Sequence, residues 1–174
     1  MDTLVKTKRE IEDRIKDMPD YTKLNYLERC IKSNISFELK KFCYTKMAEV
    51  LKGRGMFSAA AKNMCSAGDI ATTYSEKMQL YMKEFELYVM AGQLDKAELA
   101  SNRAVNLGNT MERQEMKDAI KEFYIKEAEA LEKNQKKRAA MEIYEKLMRT
   151  ALSDREREII KKRLIDLYDK FGKY

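Results

Sequence analysis

The chain contains no histidine and no tryptophan, one proline (Pro19) and six glycines in 174 residues. Without histidine it lacks the side chain that most often serves as general base, metal ligand or partner of a nucleophile. The few glycines form neither Gly-x-x-x-x-Gly-Lys nor Gly-x-Gly-x-x-Gly, so no phosphate-cradling loop is present, and there is no calcium loop. Glu127, Glu129 and Glu132 lie among lysines, where helical carboxylates are ordinarily solvated ion pairs. These gaps lead to the expectation of no enzyme, no catalytic residue, no metal and no cofactor.

The three cysteines, Cys30, Cys43 and Cys65, are odd in number and lack CxxC spacing. They read as small buried hydrophobes in a reducing compartment. The first residues carry no apolar signal-like run, and Leu87-Tyr88-Val89-Met90-Ala91 is the longest apolar run found. That is far too short to span a bilayer, so the expectation is a cytoplasmic protein with no membrane insertion.

What is abundant points to helix. Apolar residues make up 44% and charged residues 37%, the mixture of helices with one buried stripe and one solvated face. The net charge of +6 is diffuse: 13 Lys/Arg against 9 Asp/Glu in residues 1–55, 5 against 6 in 56–110, and 17 against 14 in 111–174. Concentrated basic runs are limited to Lys136-Lys137-Arg138 and Lys161-Lys162-Arg163.

Apolar residues recur at helical spacing almost throughout. A first helix carries Ile11, Ile15 and Met18 and stops before Pro19. Asp20 is expected to cap the second helix, Ser36 the third and Ser75 the fifth. Gly108 or Asn109 is expected to take a left-handed turn after the sixth. Ser153-Asp154-Arg155-Glu156 reads as a capping box opening a last helix with Ile160, Leu164, Leu167 and Phe171 on one face.

Three segments align with one another. They are Tyr44…Ala48…Leu51…Gly55…Ala60…Met64…Ala67, Tyr81…Phe85…Tyr88…Gly92…Ala97…Ser101…Ala104 and Tyr124…Ala128…Leu131…Gln135…Ala140…Tyr144…Leu147, offset by 37 and 43 residues. In each, an aromatic residue stands on a first helix, Gly or Gln135 marks a turn, and a small residue follows where two helices approach closely.

These spacings, with Gly92-Gln93-Leu94-Asp95-Lys96-Ala97 the best match, resemble the tetratricopeptide repeat family over roughly residues 41–152. The spacings are wider than the family's usual repeat, a looseness shared by longer-helix relatives such as the soluble NSF attachment proteins, which the chain also resembles. Glu84 and Phe85 stand where the family prefers leucine and a small residue. The resemblance implies an all-α, right-handed superhelix of antiparallel helix pairs in a single domain, residues 1–174. About nine helices are expected: an N-terminal pair (1–35), three repeat-like pairs (36–152) and a capping helix (153–174).

In that family the first helices line a concave inner surface. Lys46/Glu49, Lys83/Glu86 and Lys126/Glu129 occupy one repeat position and would form a charge ladder along it, with Phe42, Thr45, Gln79, Met82, Val89, Glu122 and Ile125 nearby. The family's carboxylate clamp uses asparagines where this chain has glutamates, so a terminal carboxylate is not the expected ligand. The resemblance and the missing catalytic groups together imply a protein–protein interaction module, an adaptor that holds a peptide or helix of a partner protein. The competing reading is nucleic-acid or acidic-surface binding through the basic terminal segments, with steep salt dependence. The sequence leaves self-association open.

Overall fold

The computed structural model describes residues 7–150 and 152–172. Within them the chain is all-helical: α1 (Lys8–Ile15), α2 (Asp20–Lys32), α3 (Phe37–Gly53), α4 (Phe57–Ile70), α5 (Tyr74–Met90), α6 (Leu94–Leu107), α7 (Thr110–Lys133), α8 (Lys137–Met148) and α9 (Asp154–Phe171). There is no strand among the described residues. The backbone gathers into two compact units, Met1–Asn109 (unit 1) and Thr110–Tyr174 (unit 2).

In unit 1, each helix packs mainly on its neighbours in sequence, from α2·α3 through α5·α6. Thr7 opens α1 with a capping box: its hydroxyl accepts from the Glu10 N–H, and the Glu10 carboxylate accepts from the Thr7 N–H. Ile11 and Ile15 of α1, Leu27 and Cys30 of α2, and Leu39 and Cys43 of α3 form one buried cluster, with Met18, Ile31 and Phe42 packed against it. Burial, with Cys30 alongside, pushes the Cys43 thiol up to about 12, so it stays neutral and acts as packing.

Two expected caps move. Pro19, not Asp20, holds the N-cap position of α2, because its fixed φ of −59° with ψ of 150° already sets the entry turn. Asp20 then sits in the first turn, where its charge opposes the helix dipole favourably. For α5 the cap is Thr73, whose hydroxyl accepts from the Glu76 N–H, and Ser75 lies inside the helix. Ser36 caps α3 as expected, accepting from the Leu39 N–H.

The three aligned segments each form a helix hairpin with the same turn. Gly55, Gly92 and Gln135 have φ of 71°, 70° and 60°, and they are the positive-φ residues among those described. Just beyond them, the N–H groups of Met56, Gln93 and Lys136 reach back to the carbonyls of Leu51, Tyr88 and Leu131, each at 2.9 Å. One residue earlier, Gly55, Gln135 and Gly92 donate to Lys52, Glu132 and Val89. This is the Schellman arrangement, which satisfies orphan carbonyls of the ending helix and turns the chain within three residues. The next helix then starts directly, and Ala60, Ala97 and Ala140 are fully buried where it meets the first. Gly108, by contrast, is extended (φ −80°, ψ 157°), so the left-handed turn expected at Gly108-Asn109 is absent. The chain leaves α6 by straightening instead.

Gln135 shows what that turn costs without glycine. A side chain at positive φ crowds its own carbonyl, about 1 kcal/mol or more of strain. Gln135→Gly relieves it and gives back part through the looser unfolded chain. The variant is expected to gain about 0.5–1 kcal/mol of stability, read by urea denaturation. A loss of stability would mean that the Gln135 side chain contributes more than its backbone strain costs.

In unit 2, α8 packs on α7 and α9 on α8. Ser153 and Glu156 make the expected capping box. Ile160 and Leu167 are buried and Leu164 half-buried, while Arg155, Glu158, Lys162 and Asp166 face water. The Phe171 side chain lies outside the described residues. Lys121 of α7 meets Glu156 at 2.9 Å. Arg163 of α9 meets Glu129 at 2.8 Å and donates to the Tyr144 hydroxyl at 3.0 Å. No helix among the described residues is long and apolar enough to cross a membrane.

Candidate functional site

The first helices of the two hairpins in unit 1, α3 and α5, do not close over each other completely. Together with the start of α1 they leave an open cleft of about 210 Å³. Its floor is Phe42 and Leu80; Thr45 and Gln79 supply a hydroxyl and an amide, and Lys8, Lys41, Lys83 and Glu76 stand around it. Four of the expected groove residues, Phe42, Thr45, Gln79 and Lys83, are therefore brought together.

Lys41 ties the two helices. Its ammonium lies 2.6 Å from Glu38 on its own helix and 2.9 Å and 3.0 Å from the two oxygens of Glu76 on α5, with the side chain 12% exposed. Burial works against that charge, but the two carboxylates outweigh it and raise the pKa above the ordinary lysine value. Sequence reasoning missed Lys41 and Glu76, because the i to i+35 contact joins different hairpins and no local spacing announces it. Lys8 reaches Glu38 at 3.5 Å from a half-exposed position. Lys83 is exposed and pairs with no described residue.

The other expected groove residues go elsewhere. Lys46 bridges Glu12 of α1 at 3.4 Å and Glu49 at 3.2 Å and lies 5.4 Å from the centre of the Phe42 ring. Met82 and Glu86 are half-buried and do not line the cleft. Val89 is 2% exposed and presents no surface for an apolar anchor. Helix α5 packs against both α4 and α6, and Val89, which the resemblance places near the groove, lies in the interior. Glu122, Ile125, Lys126 and Glu129 belong to unit 2. There Glu122 and Lys126 are exposed, Ile125 is half-buried, and Glu129 is taken by Arg163.

A second charged cluster joins α4, α5 and α6. Glu84, 2% exposed, receives 2.6 Å contacts from Arg103 Nη2 at both carboxylate oxygens. Burial pushes the Glu84 carboxyl up, and Arg103 pulls it part of the way back. The same guanidinium lies 3.3 Å from the Cys65 sulfur and 4.5 Å from the centre of the Tyr81 ring, whose hydroxyl donates to Asp69 at 2.9 Å. Cys65 is thus half-buried beside an arginine, unlike the enclosed Cys30 and Cys43. Both Glu84 oxygens are engaged and shut away from solvent, which suits a structural pair better than a substrate contact. The sequence did flag Glu84 as a carboxylate where the family has leucine, but its partner 19 residues on was not evident.

The basic runs also separate. Lys136, Lys137 and Arg138 line a shallow depression at the third hairpin, with Arg138 near Glu142 at 3.5 Å. In the second run Lys161 and Lys162 are exposed, whereas Arg163 is drawn inward to Glu129 and Tyr144. No family model matches this chain, and no curated protein or solved structure matches it significantly.

Proposed function

We propose that the chain is a tetratricopeptide-like interaction module and that unit 1 holds a segment of a partner protein in the cleft between α3 and α5. The observation that carries this reading is the open cleft between consecutive first helices of two hairpins built on the same turn. Repeating hairpins leave one face for the next pair and one for a ligand. An apolar floor ringed by polar groups suits a short peptide stretch, with one side chain anchored and its neighbours read by charge and hydrogen bonds. The tie between Lys41 and Glu76 holds the two walls in place before binding, which lowers the ordering cost of association.

Peptides selected by phage display on the full chain give the test. Gln79 and Lys83 are exposed, so changing them leaves the core alone. Gln79→Ala combined with Lys83→Glu should weaken the selected peptides about tenfold or more, since a lost hydrogen bond and a reversed charge together exceed about 1.4 kcal/mol. Circular dichroism should be unchanged. Selected peptides that bind this variant as tightly as the parent would place the binding surface elsewhere.

A further inference from the structure

We infer that the segment taken by the α1–α3–α5 cleft is acidic, with one or two Asp or Glu side chains beside an apolar one; this rests on the peptide-binding reading and specifies its ligand. Most of the charges around the cleft are already spent on one another. Glu76 has both oxygens on Lys41, and Glu38 is shared between Lys41 and Lys8. Lys41 in turn is saturated and largely withdrawn from solvent. What remains open is cationic: Lys83 has no partner among the described residues, and Lys8 is held only at 3.5 Å with about half its side chain in water. A ligand carboxylate at Lys83 meets an unspent ammonium; a ligand lysine meets two like charges, and the carboxylates nearby, Glu76 and Glu38, are already paired with Lys41.

The neutral part of the cleft sets the rest. Phe42 and Leu80 offer an apolar floor, and about 210 Å³ accommodates an aliphatic or aromatic side chain but not a folded surface. Gln79 stands beside Lys83 on α5 and can donate to or accept from the ligand backbone. Exposed lysines give up hydration to bind, so their contribution is to selection of charge and to encounter rate more than to raw affinity. Affinity for an acidic segment should accordingly fall with salt.

The experiment uses the full chain and three matched series of twelve-residue fluorescent peptides. Each series carries Leu or Phe at its centre, flanked by Asp/Glu, by Asn/Gln or by Lys, and binding is read by anisotropy at low and high salt. The expected result is at least tenfold tighter binding of the acidic series, weakened by salt. Lys83→Glu should erase that preference, and Lys126→Glu in unit 2 should leave it. Neutral peptides binding as tightly as acidic ones, with Phe42→Ala weakening both, would overturn the acidic assignment while leaving a peptide site. No binding in any series would remove both. A dT12 oligonucleotide that displaces the acidic peptides, and loses affinity in Lys83→Glu, would overturn the assignment in favour of nucleic acid.

Discussion

Arg103→Met is expected to lower the unfolding free energy by about 3 kcal/mol at pH 7, among the largest single losses available in unit 1. The reason is the state of Glu84 rather than the attraction lost. Glu84 is buried, and Arg103 supplies the contacts to both its oxygens. Removing the guanidinium strands a carboxylate in low dielectric, where it must either stay charged at great cost or bind a proton. Arg103 is partly exposed, with 39% of its side chain in water, so some hydration reaches the site and the loss sits at the low end of the range for buried pairs.

The deficit depends on pH through the Glu84 carboxyl. Burial already raises the Glu84 pKa above the ordinary carboxylate value, against the pull of Arg103. A carboxyl whose folded pKa is raised binds protons more readily folded than unfolded, so its contribution improves as the pH falls through that window. Loss of Arg103 raises the pKa further and widens the window. Glu38 and Glu156, whose pKa values are lowered, lose their contributions in acid, but they do so in parent and variant alike. The deficit of Arg103→Met relative to the parent should therefore shrink between pH 7 and pH 5 in urea denaturation series. The double variant Glu84→Leu/Arg103→Met should recover most of the loss, since an apolar pair removes the stranded charge. A deficit that is flat with pH and persists in the double variant would mean that Arg103 acts through packing on Tyr81 alone.

The same residues mark where sequence reading reaches and where it stops. Helical period, the Ser36 cap and the Ser153–Glu156 box are local, set by side chains within four residues, and all were legible. The turn positions Gly55, Gly92 and Gln135 were legible because the internal alignment compared three copies of one backbone problem. Gln135 then stood out as the copy lacking the residue that the problem favours. Inter-helix pairing was not legible: Lys41 with Glu76, Glu84 with Arg103 and Arg163 with Glu129 are separated by 35, 19 and 34 positions. Charged residues are plentiful enough that any of several partners fits a spacing argument. Val89 failed for a related reason. On a helix covered from two sides, the 3.6-residue period no longer separates an inner wall from an interior.

Gly68→Ala carries the second large effect, and it tests the close packing on which the stacked hairpins depend. Gly68 is buried near the end of α4, and a Cβ built there would lie 2.6 Å and 2.9 Å from two ring carbons of Tyr81 on α5. In an exposed helix the same change would stabilise by about 1 kcal/mol, because alanine is the better helix former. Here the methyl must displace a ring that is pinned on two other sides, by the hydrogen bond from its hydroxyl to Asp69 and by Arg103 over its face. Overpacking of this kind costs about 1–3 kcal/mol, and the displaced ring would also disturb Arg103 and hence Glu84. A net loss of about 2 kcal/mol is expected, together with a drop in the Tyr81 pKa from about 12 as its Asp69 contact and burial are relaxed. Urea denaturation and ultraviolet titration of the tyrosines read the two effects separately. If Gly68→Ala instead stabilised by the full ~1 kcal/mol of an exposed helix, α4 and α5 would have room for the methyl and the close packing at Tyr81 would be disproved.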